Sequence, residues 1–283
     1  MQALTGRVAV ITGAAGGIGV ELTRGFLEAD ASVMAADVSE NGLGALKRRL
    51  GEAGLDGKLV CHPLDISDHK ACDGAIEIAR QQFGTVDILI NNAGLGLNAI
   101  RDDCMTNLVT IEEIGPEVWE KFVAVNLSGA WHMTRAVVPG MKRNGWGRII
   151  TVTTSFFTML RGKFHPYGPT KAGLEAMAAG HAQEFAGTGI TVNVVVPGGP
   201  ADTPMVPQTS GMRRADLIQP AKMLPPMLWL CSRAADSASG NRYVAAHWDE
   251  TASIEAARTA SEAPIGWPGL AGAPVWPGGK PKQ

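Results

Sequence analysis

Short apolar runs alternate with helix-length amphipathic segments from the first residues onward, and this alternation leaves few folds open. The runs are Val8–Thr12, Ser32–Ala36, Leu59–Pro63, Val86–Asn91, Arg148–Thr153, Thr191–Val196 and Tyr243–Ala246. Most are continuous aliphatic or β-branched stretches without polar alternation, the pattern of strands covered on both faces. Helices are predicted between them at about Gly17–Glu28, Asn41–Ala53, Asp68–Phe83, Pro116–Lys142, Thr170–Ala186 and Pro220–Arg233. Buried strands in strict β-α alternation specify a parallel sheet between two layers of helix. Right-handed crossovers then favour a doubly wound α/β arrangement of about seven strands with helices on both faces. Residues 1–249 read as one domain. Residues 250–283 read as a tail that turns Gly/Pro-rich from Pro264 and carries Trp267 and Trp276.

Composition excludes several function classes. A chain of 283 residues with 45% hydrophobic and 18% charged content is too apolar for disorder. A formal net charge of −2 supplies no field for a polyanion, so no nucleic-acid partner is expected. Cys61, Cys72, Cys104 and Cys231 form no C-x-x-C pair and have no close His at ligand spacing. Neither a disulfide framework nor a metal site is therefore expected, and free thiols fit a reducing compartment. The N-terminus shows no signal-peptide pattern, and no apolar run approaches the ~18 residues of a membrane span. The expectation is a cytoplasmic protein with no membrane partner.

Thr12-Gly13-Ala14-Ala15-Gly16-Gly17-Ile18-Gly19 follows the first strand and opens the first helix. Glycine suits a backbone that must turn sharply and approach a pyrophosphate, while the helix N-terminus offers free N–H groups and partial positive charge. Such triplets are common in ordinary turns, so the strand–turn–helix setting carries the weight. No G-K-[ST] follows, which argues against a Walker-type NTPase. Asp37 ends the second strand about 20 residues on, where a carboxylate binds adenosine ribose hydroxyls in Rossmann-like folds. It reads equally well as a helix cap. With no Lys or Arg in the loop or beside Asp37 to offset a 2′-phosphate, NAD is favoured over NADP.

The spacing Gly13-x-x-x-Gly17-x-Gly19 resembles the short-chain dehydrogenase/reductase family, classical type. Three more segments resemble it in the same order: Asn91-Asn92-Ala93-Gly94 after the fourth strand, Asn126 in the long helix, and Tyr167-Gly-Pro-Thr-Lys171. The likeness spans roughly residues 5–248, most of the chain. The last motif has its own physics. Tyr167 and Lys171 at i and i+4 share a helical face. A phenol titrates near 10, and a neighbouring ammonium is expected to lower that value toward a usable general acid–base.

The resemblance implies the remaining roles. Asn126 would hold a water that relays a proton through Lys171, and Lys171 would also bind the nicotinamide ribose. Gly13, Gly16, Gly17, Ile18 and Gly19 would cradle the diphosphate. Asp65 and Ile66 would sit by the adenine, and Asn92, Ala93 and Gly94 would line the cofactor cleft. Pro197 and Gly198 would face the nicotinamide, and Thr203 would bond the carboxamide or diphosphate. The family's serine thirteen positions before the tyrosine is Thr154 here, with Ser155 beside it. Either hydroxyl can bind the reacting oxygen.

Three further departures stand out. Thr203 falls one position late after Pro197-Gly198. Leu95–Gly115 is longer than the family needs and would roof the site. The last strand ends in His247-Trp248-Asp249 instead of glycines.

Phe156, Phe157, Met159, Leu160, Phe164, Met205 and Val206 are expected near the nicotinamide and suit an apolar substrate. The leading expectation is therefore an NAD-dependent oxidoreductase that interconverts a hydrophobic secondary alcohol and its ketone. Alternatives are an NADPH-linked carbonyl reductase, a lyase on the same scaffold, or an NAD-binding sensor or scaffold without turnover. The resemblance also implies a homodimer or homotetramer. The tail would lie in a groove of a neighbouring subunit, lie in the substrate cleft, or fray.

Overall fold

One sheet collects the apolar runs. The computed structural model describes residues 4–270. Strands β1 (Val8–Thr12), β2 (Ser32–Asp37) and β3 (Leu59–Pro63) alternate with helices α1 (Gly17–Glu28), α2 (Glu40–Glu52) and α3 (His69–Phe83). Strand β4 (Ile88–Asn91) leads through the Leu95–Gly115 segment into α4 (Pro116–Phe122), a π-helical stretch Val123–Gly129, and α5 (Ala130–Asn144). Then come β5 (Gly147–Val152), α6 (Phe156–Leu160), α7 (Tyr167–Glu184), β6 (Ile190–Val196), α8 (Leu224–Cys231), β7 (Asn241–Val244), α9 (Ile254–Ser261) and β8 (Glu262–Pro264). The predicted helix Pro116–Lys142 is thus one continuous path interrupted by a π segment.

The order across the sheet is β3-β2-β1-β4-β5-β6-β7-β8. All pairings are parallel except β7 with β8. Alternate residues feed two cores. Ile11, Val33, Ile90, Ile150, Val195 and Tyr243 pack on one face. Val10, Met34, Leu89, Ile149, Val194 and Val196 pack on the other. This is why the central runs lack polar alternation: both faces of β1, β4, β5 and β6 are dry. The strand order reverses between β1 and β4, and the crevice at their carboxyl ends is where such sheets bind ligands.

The sheet has eight strands, one more than expected, and the extra strand comes from the segment after residue 250. Ser253 caps α9 by accepting from the Ala256 N–H at 3.2 Å. Ala257 and Ser261 are buried, and β8 pairs antiparallel with β7. Tyr243 donates its hydroxyl to Glu262 at 2.7 Å. Short helical period and a three-residue strand are weak local signals, so only pairing with β7 defines them. Trp276 lies outside the described residues. No helix among the described residues is long and apolar enough to cross a membrane.

Candidate active site

The glycine loop is built as its sequence requires. Gly13 has φ +63°, and a Cβ there would stand 2.7 Å from the Ala93 Cα, so the β1 and β4 ends touch. At Gly17 a Cβ would meet Thr203 Cγ2 at 2.5 Å, placing the segment after β6 directly over the start of α1. Gly16 is the N-cap, and no side chain caps α1. The first-turn N–H groups around Ile18 and Gly19 therefore remain without a side-chain acceptor, a condition that fits a phosphate. Asn92 braces the loop: its Nδ2 donates to the carbonyls of Thr12 (3.0 Å) and Gly13 (3.1 Å). Thr12 Oγ1 accepts from the N–H groups of Asn92 and Ala93.

Asp37 is half-buried at the end of β2. Its Oδ2 accepts from the Ala15 N–H in the glycine loop at 3.0 Å, and Oδ1 accepts from Ser39 N–H. Ser39, not Asp37, caps α2, accepting from Gly42 N–H. Asp65 is exposed and its carboxylate accepts from the Ser67 N–H and hydroxyl. Ile66 is buried, and a Cβ on Gly129 would strike it. Gly198 follows Pro197 and packs against Val244 and Ala246 at the crevice edge. Thr203 is pinned through its carbonyl by Arg214.

The second group of residues lies at the ends of β4, β5 and the start of α7. Tyr167 is the first residue of α7, and Lys171 follows one turn later. The Thr154 hydroxyl lies close enough to the Tyr167 phenol to act against the rise in its titration. Ser155 points elsewhere: it caps α6, accepting from the Thr158 N–H at 3.1 Å. Lys171 is buried, donates to the Val152 carbonyl at 2.9 Å, and stands 5.9 Å from the centre of the Tyr167 ring. Asn126 is also buried. It accepts from Leu95 N–H at 2.6 Å and donates to the Leu95 carbonyl at 3.0 Å. A Cβ on Gly94 would lie 3.3 Å from Asn126 Oδ1 and 3.4 Å from Lys171 Nζ, so both side chains converge there.

Burial sets the protonation of this pair. It pushes the Lys171 ammonium down to about 8. It also pushes the Tyr167 phenol above its ordinary value, against a smaller lowering by the Thr154 hydroxyl. The expected net lowering of the phenol by the neighbouring ammonium is therefore corrected. In the protein alone, burial is the larger influence on the phenol, because it is removed from water.

The Leu95–Gly115 segment does roof this corner. Its Leu97 and Cys104 pack with Phe164, with Tyr167 at the edge of the cluster. The roof is tied to the segment after β6 by Asn98 Nδ2 donating to the Pro204 carbonyl and by Thr209 donating to the Asp102 carbonyl. Met205 covers Gly96. Of the expected apolar lining, Met159, Phe164 and Val206 are buried, whereas Phe157 and Leu160 are exposed at 72% and 75%.

Sequence reasoning missed two buried charges behind Thr154. Glu175 is wholly buried and accepts from Thr153 (2.8 Å) and from Arg242 (2.9 Å). Arg242 also donates to the Thr154 carbonyl at 2.7 Å. Two signals mark them: Glu175 continues the Tyr167–Lys171 stripe by another four residues, and Arg242 is a cation adjoining an apolar run.

The comparisons agree with this geometry. The short chain dehydrogenase profile matches residues 7–214. Over 196 residues, 69% of this chain and 71% of the relative, the sequence is 37% identical to 3beta-hydroxysteroid dehydrogenase 2 of Eggerthella lenta. It is 34% identical to the 3-oxoacyl-[acyl-carrier-protein] reductase of Escherichia coli over 75% of this chain and 81% of that one. Among solved structures, the NADH complex of 3-ketoacyl-(acyl-carrier-protein) reductase from Brucella melitensis superposes with TM-score 0.71 and 29% identity. It covers 83% of this chain and 95% of that one. A nucleotide crevice at the β1/β4 reversal, a tyrosine–lysine pair beside it and these matches converge: the chain belongs to the short-chain dehydrogenase family and is an oxidoreductase acting on hydroxyl or keto groups.

Proposed function

We propose that this enzyme uses NAD to interconvert an apolar secondary alcohol and its ketone. The observation that carries the reading is the Thr154–Tyr167 hydroxyl pair with Lys171 buried beside it. Bound nicotinamide supplies the carbon that accepts or donates the hydride. In oxidation, Tyr167 takes the alcohol proton; in reduction it returns one to the ketone oxygen. Thr154 donates a hydrogen bond to that oxygen, where negative charge develops. The Lys171 ammonium, buried one turn from Tyr167, would bind the nicotinamide ribose hydroxyls and oppose the cost of a phenolate. Asn126, converging with it above Gly94, orders the wall along which a water relay reaches Lys171. Gly13, Gly16, Gly17, Ile18 and Gly19 receive the diphosphate with Thr203. Asp65 and Ile66 would hold the adenine, Asn92, Ala93 and Gly94 would line the cofactor cleft, and Pro197 and Gly198 would face the nicotinamide.

NAD is preferred because the Asp37 carboxylate would oppose a 2′-phosphate, with Ala15, Val38 and Ser39 offering no compensating cation. Exposed Phe157 and Leu160 with Met205 offer apolar contact to a substrate. A 3β-hydroxysteroid, in the name of one relative, is itself an apolar secondary alcohol. Half-exposed Trp119 and Trp131 on α4 and α5 support a homodimer or homotetramer, since a lone chain would leave them wet. Four free cysteines suit a reducing cytoplasm.

The test is reduced-cofactor absorbance with NAD and with NADP across a panel of secondary alcohols. Wild type should favour NAD, and Asp37→Ala should narrow the preference. Equal use of NADP by the wild type refutes the cofactor assignment.

A further inference from the structure

Behind the reacting corner lies a buried chain of polar contacts that crosses from the catalytic loop to the C-terminal segment. The Thr154 carbonyl accepts from Arg242 Nη2 at 2.7 Å. Arg242 Nη1 reaches Glu175 at 2.9 Å and Thr153 Oγ1 at 3.3 Å. The second carboxylate oxygen of Glu175 accepts from the Gly266 N–H at 3.3 Å, just after β8. The guanidinium carbon stands 4.2 Å from the centre of the Phe156 ring, and Phe156 in turn meets Trp267 at 5.2 Å between ring centres. Arg242 is 5% exposed and Glu175 is 0% exposed.

Removing an ion pair this deep from water costs several kcal/mol per ion, and apolar residues often hold a core as well. Stability alone therefore gives little reason to keep a charged pair here. Position gives one. Arg242 is a planar fork whose two arms reach different partners, and one arm fixes the peptide that carries the Thr154 side chain. The residue whose hydroxyl lies beside the Tyr167 phenol is thereby gripped from behind. Arg242 and the C-terminal segment also lie beyond residues 7–214, the part shared with the family profile.

We propose that Arg242, held by Glu175 and the C-terminal segment, is a positioning residue that sets the Thr154 hydroxyl against Tyr167. The inference rests on Thr154 as the oxygen-binding hydroxyl. A misplacement of about 1 Å can cost about 100-fold in rate, so the contact need not touch substrate to matter.

The experiment is a double-mutant cycle in the full-length protein, read as kcat, alcohol KM, NAD affinity and melting temperature. Glu175→Gln/Arg242→Met removes both charges together, leaves no unpaired ion, and withdraws the donor from the Thr154 carbonyl. It should retain NAD affinity within about threefold while kcat falls about 10–100-fold. In a Thr154→Val background the same exchange should change kcat by less than about threefold, because the hydroxyl being positioned is already gone. A folded exchange variant with wild-type kcat overturns the proposal, and so does an equal loss in both backgrounds. If the exchange variant does not fold, Arg242→Lys keeps the charge but not the two-armed fork. Reduced kcat at unchanged NAD affinity then supports the proposal, and unchanged kcat overturns it. Failure of the underlying reading is separately visible: Thr154→Val alone would leave turnover intact.

Discussion

At the scale of single residues, two adjacent hydroxyls have different tasks. Thr154 lies beside the Tyr167 phenol, while Ser155 holds the first turn of α6. Thr154→Val should lower kcat about 10²–10³-fold, the range for a lost oxyanion donor. Ser155→Ala should instead cost about 1 kcal/mol of stability, as lost caps do, with kcat nearly unchanged. Steady-state kinetics and urea melts on both variants check the division; reversed effects would refute it. Tyr167→Phe should reduce turnover about 10²–10⁴-fold while NAD still binds, and near wild-type turnover there would remove the mechanism.

Lys171 carries a pH prediction. Its ammonium titrates near 10.5 in the unfolded chain and at about 8 in the fold, where burial disfavours the charge. Between those values the unfolded state holds a proton that the native state has released. Its contribution to stability therefore rises with pH in that window, by at most about 1.4 kcal/mol per unit. Lys171→Met removes this contribution, so wild type should gain stability relative to the variant between pH 8 and pH 10. Stability curves that stay parallel across that window, measured by urea melts, would contradict the burial of the charge.

At the scale of elements, the π segment Val123–Gly129 matters because it presents Asn126 to the roof. The side chain satisfies both backbone groups of Leu95 and also donates to Thr170 at 3.2 Å. Asn126→Ala should strand these groups and cost about 1–3 kcal/mol for a buried unsatisfied partner. Faster hydrogen exchange at Leu95 together with that loss is the expected outcome; unchanged exchange would detach the roof from Asn126. The elements themselves were largely legible, since aliphatic runs and helical periods act over a few residues. Less legible was the break at Val123, where α-helix gives way to π-helix without a proline or glycine at the junction. The insertion was visible as excess length, yet its packing on Phe164 depends on residues more than fifty positions away.

At the scale of the molecule, the C-terminal segment completes the sheet. Ile265 is buried, β8 pairs with β7, and Trp267 meets Phe156. Deleting Ala263–Gln283 removes the buried Ile265 and most of β8, and leaves Glu175 without the Gly266 donor. Burial of one such side chain stabilises by about 2 kcal/mol, so the melting temperature should fall by about 5 °C or more. Calorimetry and solution mass on the truncated chain test this, and an unchanged melting temperature would make the segment dispensable. By itself, the sequence determined the alternation of buried strands and helices, the glycine turn before α1, the Tyr167–Lys171 stripe and the carboxylate at Asp37. All of these rest on spacing along the chain, where backbone geometry and hydrophobic period act locally. Only the tertiary structure decided which of Thr154 and Ser155 meets Tyr167, that burial raises the phenol, and that Arg242 reaches Glu175 across 67 residues. Those outcomes depend on side-chain direction and on the removal of water, and both are properties of packing between distant segments.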